Sequence, residues 1–469
     1  MYYKLPSWQE GSLFGDNNLT LSIMSKFSIK DPPESWKGRL KFLGPGFILS
    51  ASIVGSGELI ATTILGAKGG FITFWVILVS CLVKVAIQLE FGKNAILTGQ
   101  TPMQGFMRLG GPSVGKSNWA VTSAFLLTLI KILQVGGMLG GASIALNLLL
   151  PQVPIAGWAL ILGLFTSSMI YRNKYAWIEK GSMVMVVGFT LFTLIAVFSL
   201  YGTSFGFGWE EVWSGLQFQL PSSLVFVAIG AFGITGVASD EIIAYNYWCL
   251  EKGYAAYTGV NDGSDDWKQR AKGWIKVMEM DAIVAMVIYT LVTAAFYLLG
   301  ASVLHGRQEI PEGNAVIDTL ANIYTQTLGS DVRNAYLIGA FFVLYSSVFA
   351  TLAYWSRLFM DIFSSFQWID INNEKTRSKG VAILAWVIPF LWIIAYLFVQ
   401  LPTFMVMLGG LVGSVLLLVV VAAGIVFRNQ NRNIKIPASR FSEILFWMSV
   451  LSIGWVAVYG ITRIMVNGA

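Results

Sequence analysis

Charge is what this sequence has least of. Only 12% of its 469 residues are Asp, Glu, Lys or Arg, against 55% hydrophobic residues, about half the charged share of a soluble domain. Mean hydropathy is +0.67. A water-soluble fold is excluded. The two cysteines, Cys81 and Cys249, fall in or beside apolar stretches, which excludes a disulfide framework or zinc spacing. The single histidine, His305, falls in a polar loop, which excludes a buried imidazole relay. No glycine-rich phosphate loop is present, so ATP is not the expected energy source, and no cofactor or enzymatic activity is expected. Residues 1–43 are polar, lack the apolar core of a signal peptide, and read as a cytoplasmic tail.

What the chain has instead is a series of apolar runs of about 20 residues, the length that crosses a bilayer. Eleven spans are predicted, near 44–66, 71–91, 119–149, 154–171, 181–201, 222–249, 280–301, 333–363, 380–400, 403–427 and 443–466. Lysine and arginine crowd alternate loops: Lys37, Arg39 and Lys41, then Lys93, Arg108 and Lys116, then Arg172, Lys174 and Lys180, and so on to Arg428, Arg432, Lys435 and Arg440. The loops between are nearly bare of them. The net charge of +6 is thus a topological signal and not a nucleic-acid footprint. It places the N-terminus inside and the C-terminus outside, in what is expected to be a bacterial inner membrane.

Two spans are interrupted alike. Gly55-Ser56-Gly57-Glu58 breaks the first, and Gly233-Ile234-Thr235-Gly236 followed by Asp240-Glu241 breaks the sixth. Glycines weaken a helix, and carboxylates in hydrocarbon need a partner or water. Spans 1–5 (44–201) and 6–10 (222–427) then form two inverted halves of one transmembrane domain, 44–469, each opening on a broken helix. Span 11 (443–466) is accessory. This is the five-plus-five architecture of LeuT-like transporters, with the substrate held between the breaks.

Several segments resemble the NRAMP divalent-metal transporters: Lys41–Phe47 (KFLGPGF), Gly66–Phe71 (GAKGGF), Leu97–Gly99, Ser143–Leu149 and Ile229–Ala231. The resemblance covers spans 1–6 well and spans 7–10 loosely. It implies a metal site at the two breaks, formed here by Gly55, Ser56, Glu58, Ala231, Ile234, Thr235 and Asp240, with Glu241, Lys131 and Gln134 as further pathway residues. The chemistry departs from the family, however. The family's coordinating Asp falls on Gly55 and its Asn on Glu58; its Met-Pro-His falls on Ile234-Thr235-Gly236; its acidic proton-pathway pair falls on Val135 and Met138.

With thioether and imidazole gone, the remaining donors are all oxygen, which suits hard ions. Mg²⁺ usually keeps several waters while touching one or two carboxylates. The expected function is therefore divalent-cation transport biased toward Mg²⁺ and Mn²⁺, with weak or no proton coupling. The alternative is an amino-acid or organic-anion transporter, whose substrate carboxylate would sit on the N–H groups of the Gly-Ser-Gly turn.

Each polar residue also has a plainer reading. Glu58 could cap a half-helix. Asp240 and Glu241 are adjacent, so at most one is expected to face the site, Asp240 being nearer the break. Lys131, near mid-membrane, is either a fixed charge in the site or the counter-ion of Glu58 or Asp240. Lys84, Gln88 and Glu90 are expected to be structural, near the inner end of span 2, where long side chains reach interfacial water. Arg357 and Asp361 are spaced for an intrahelical ion pair. Partners beyond the metal ion and the bilayer, and the oligomeric state, are not legible.

Overall fold

In hydrocarbon every backbone N–H and C=O must be satisfied within the chain, so long apolar runs fold as helices. The computed structural model describes residues 28–467, apart from 56, 172–174, 306–316, 319–320, 322–329, 372, 435 and 437–438. Among the described residues nine helices are long and apolar enough to cross a membrane. To these add one bent pair, Pro45–Ile53 with Glu58–Gly69, angled by 43°, and the shorter apolar helix Ile155–Ile170. Counting the bent pair as one span gives up to ten candidate crossings among the described residues of an integral membrane protein, and the shorter helix lies where the fourth span is expected.

The helices are α1 (Pro45–Ile53), α2 (Thr63–Gly69), α3 (Phe74–Thr98), α4 (Trp119–Leu149), α5 (Ile155–Ile170), α6 (Tyr175–Ser199), α7 (Val225–Ile234), α8 (Ser239–Lys252), α9 (Asp265–Leu299), α10 (Ser330–Ser365), α11 (Glu374–Val399), α12 (Pro402–Arg432) and α13 (Arg440–Asn467). Thus α1 and α2 are the halves of the first span, and α7 and α8 those of the sixth. The only sheet among the described residues is a two-residue hairpin, Ser113–Val114 with Ser117–Asn118.

α9 begins well before residue 280, where the apolar run alone placed its start. Ser264 caps it by accepting the Trp267 N–H, and the polar segment from Asp265 winds as helix before entering the apolar run. Small residues set the helix spacing. A methyl group on Gly233 of α7 would overlap the Gly410 carbonyl of α12, and one on Gly410 would crowd the Gly230 carbonyl. Backbone-to-backbone approach of this kind is how membrane helices pack without a hydrophobic driving force between them.

Asp281 of α9 anchors the first span. Its carboxylate accepts the Gly44 N–H at 2.8 Å and the Gly46 N–H at 2.6 Å, and Tyr245 donates to it at 3.1 Å. Three donors on one buried carboxylate, at the positive end of α1, offset the cost of burying it. Nearby, Lys252 at the end of α8 bonds the Leu43 carbonyl at 3.0 Å and Glu179 of α6 at 2.5 Å. The start of the first span and the end of the sixth are therefore tied together.

Candidate functional site

The sixth span opens where Thr235 turns extended (φ −76°, ψ 149°) and Gly236 takes φ +60°. That left-handed backbone favours glycine. A Cβ there would also lie 2.9 Å from Cys81 Cα of α3. Helix resumes at Ser239. The first span opens after Ile53 and resumes as a π-helical turn, Gly57–Thr62. At Gly55 a side chain would overlap Ser347 Oγ of α10, which donates to the Ser52 carbonyl at 2.5 Å.

Glu58 joins the two openings. Its side chain is fully buried. Oε1 accepts the Gly236 N–H at 3.1 Å and the Thr293 hydroxyl of α9 at 3.0 Å. Oε2 is buried and has no hydrogen-bond partner among the described residues. Thr235, opposite, is also fully buried, so the site is sealed from solvent in this conformation.

Most of the other proposed ligands are already engaged. The Ala231 carbonyl accepts both the N–H and the hydroxyl of Thr235, each at 2.8 Å. The Thr235 hydroxyl also lies within hydrogen-bond distance of Ser80 Oγ, at 3.0 Å. Ile234 ends α7 and is buried. Asp240 is held by Lys131 at 2.7 Å, both side chains being more than nine-tenths buried. Lys131 therefore faces the sixth-span break from α4, at the point where that helix is interrupted, as the counter-ion of Asp240. Glu241 turns toward the first span instead: Ser52 donates to its Oε1 at 2.9 Å, and its buried Oε2 lacks a partner among the described residues. Gln134 is buried against Gly409 of α12, and its Oε1 is likewise unpartnered. Ser56 lies outside the described residues.

Two readings are corrected. Lys84 is not at a helix end; it sits near the middle of α3, fully buried. Its ammonium donates to the carbonyls of Phe232 at 2.7 Å and Thr235 at 2.6 Å. These are carbonyls left unpaired by the end of α7, where the helix dipole is negative. Arg357 does not pair with Asp361. Its guanidinium bonds both oxygens of Glu251, at 2.5 and 2.9 Å, while Asp361 accepts the Tyr247 hydroxyl at 2.6 Å. Glu90 has the structural role expected of it, since Arg428 of α12 bonds it at 2.5 Å. Asp281 went unread in the sequence. Its signal was a carboxylate at the edge of an apolar run, facing a Gly-Pro-Gly helix start.

Among the described residues no three His, Cys, Asp or Glu side chains gather as a metal-ligating group. The open carboxylate oxygens at the breaks are therefore two, Glu58 Oε2 and Glu241 Oε2, with hydroxyls and carbonyls as the other oxygen groups nearby.

Comparison with known proteins places this geometry. A family model described as natural resistance-associated macrophage protein-like (Nramp) matches residues 46–463. The chain is 26% identical over 301 residues to the divalent metal cation transporter MntH of Caldanaerobacter subterraneus, covering 61% of this chain and 65% of that protein. The match thus spans a little under two-thirds of that relative. Among solved structures, the manganese transporter of Eremococcus coleocola, in complex with an aromatic bis-isothiourea substituted compound, aligns over 93% of this chain and 98% of its own, with a TM-score of 0.56 at 15% identity. MhsT in complex with L-phenylalanine aligns over 92% and 99%, with a TM-score of 0.56 at 13% identity. At such identities the likeness is one of fold: the LeuT-like arrangement expected from the paired breaks.

Proposed function

The chain belongs to the Nramp family, and on that premise we propose that it is a secondary transporter carrying divalent metal cations across a bacterial inner membrane. It favours hard ions such as Mg²⁺ and Mn²⁺, and couples to protons weakly or not at all. The N-terminus lies in the cytoplasm. The observation that carries the reading is Glu58, whose free carboxylate oxygen is buried where the two broken spans meet.

Two lysines stand near a site meant for a dication, and this weighs against the reading. Their bonds answer it. Lys131 is neutralised by Asp240, and Lys84 is bonded to backbone carbonyls. Three carboxylates (Glu58, Asp240, Glu241) stand against these two ammoniums, leaving the region with a formal negative charge. An all-oxygen donor set with open carboxylate oxygens on Glu58 and Glu241 suits a partly hydrated hard ion. The missing proton coupling follows from Val135 and Met138, which do not titrate where the resemblance puts an acidic pair.

The same positive groups favour a second reading, transport of an amino acid or organic anion whose carboxylate would meet them. Purified protein in liposomes separates the two. Entry of Mg²⁺ or Mn²⁺ without uptake of labelled amino acids is expected. Amino-acid uptake with neither metal entering would replace the metal reading.

A further inference from the structure

Lys84 does more than pack. Burying an ammonium without a carboxylate partner is expensive, and among the described residues Lys84 has no ion-pair partner. What it has is a cage of oxygens. The Phe232 and Thr235 carbonyls receive both its ammonium and the Ser80 hydroxyl, one turn earlier on α3, at 3.0 and 3.1 Å. The Phe232 ring centroid lies 5.0 Å from the ammonium. Carbonyls freed at the negative end of a half-helix are where a transporter of this architecture holds a small cation.

We propose that the carbonyl cage at the end of α7 is a monovalent-cation site, occupied in this chain by the tethered ammonium of Lys84, so that transport needs no free co-ion there. The cage also acts on the substrate site. The peptide group whose oxygen Lys84 bonds is the one whose N–H reaches Glu58. A positive charge on that oxygen polarises the peptide and strengthens the N–H as a donor. The occupant of the cage therefore helps hold the Glu58 carboxylate, and a fixed occupant holds it in every cycle.

The inference rests on the transport reading for its flux measurement but not for its binding measurement. Lys84→Ala, purified, is unfolded thermally in chloride salts of Na⁺, K⁺, methylammonium or bulky N-methylglucamine. A small cation should raise the variant's melting temperature above that in N-methylglucamine, whereas the wild type should not discriminate. In liposomes the variant's metal flux should rise about tenfold on adding the stabilising cation, the size expected for restoring a charged hydrogen bond, with wild-type flux unchanged. A folded Lys84→Ala that discriminates among none of the salts, active or not, overturns the proposal. Should Lys84→Ala fail to fold, Lys84→Gln decides: its amide still donates to the carbonyls but carries no charge. Wild-type flux in that variant in N-methylglucamine overturns the proposal, and a loss supports it. If the wild type moves no metal at all, the functional reading fails while the melting temperatures still test the cage.

Discussion

Lys84 and Glu58 grip opposite ends of a single peptide group. The ammonium bonds the Thr235 carbonyl oxygen at 2.6 Å, and the carboxylate accepts the Gly236 N–H at 3.1 Å. A residue of the second span and one of the first thus pin the open turn of the sixth. The turn is held by charge at both ends, where helix hydrogen bonds are missing.

Glu58→Gln should fold, because the amide oxygen keeps the Gly236 and Thr293 bonds. It should lose most Mg²⁺ and Mn²⁺ flux, by about tenfold or more, since an amide oxygen carries no full negative charge for a hard cation. Liposome uptake with a metal-sensitive dye reads this directly. Undiminished flux would remove Glu58 from the ion's path while leaving the fold untouched.

Metal entry should acidify the liposome lumen little. A pH-sensitive dye trapped inside reports it. Strong metal-dependent acidification would mean that another group carries protons, with Glu241 as the first to substitute.

Breaking the Lys131–Asp240 pair from either side should be costly. Lys131→Met or Asp240→Asn leaves a buried charge unmatched, a loss of about 3–5 kcal/mol. The double variant removes both charges and should recover much of it. Thermal unfolding of the two single variants and the double variant forms the cycle; equal and additive losses would show that the two side chains do not depend on each other.

Gly55→Ala should lose stability and flux, since its methyl would overlap Ser347 Oγ. Overpacking of this kind costs about 1–3 kcal/mol. Adding Ser347→Gly should restore part of the loss. If Gly55→Ala matches the wild type in melting temperature and flux, the two spans are not packed this closely.

Arg357 supplies a contrast between neighbours on a helix and neighbours in space. Asp361→Asn should leave the guanidinium's pair intact, while Glu251→Gln should destabilise the fold, because Glu251 provides both oxygens. A melting-temperature ranking in the opposite order would restore the intrahelical pair.

Much of the fold was legible because its causes are local. Hydropathy fixes where a chain must be helical in a bilayer, and Gly55, Gly236 and the nearby acids mark where it cannot stay so. The resemblance in the first six spans pointed to the two breaks as the candidate site. Lys84 shows the limit of such reading. Its partners are carbonyls, which every residue has, so no residue type announces them. Arg357 and Asp361 share a helix face by spacing, yet Glu251 on α8 comes nearer. Lys131 could be set against Glu58 or Asp240 by depth alone, and only the packing of α4 against the sixth-span break chose Asp240.

By itself, then, the sequence determined the run of membrane-crossing helices, the two breaks and the lack of thioether and imidazole at them, since each follows from residue type and local periodicity. Tertiary structure alone decided which charges meet: Asp240 with Lys131, Arg357 with Glu251, Asp281 with the start of α1, and Lys84 with the open end of α7. Such pairings depend on which helix faces come together across hundreds of residues, and in a low-dielectric interior each meeting decides which charges remain free for a substrate.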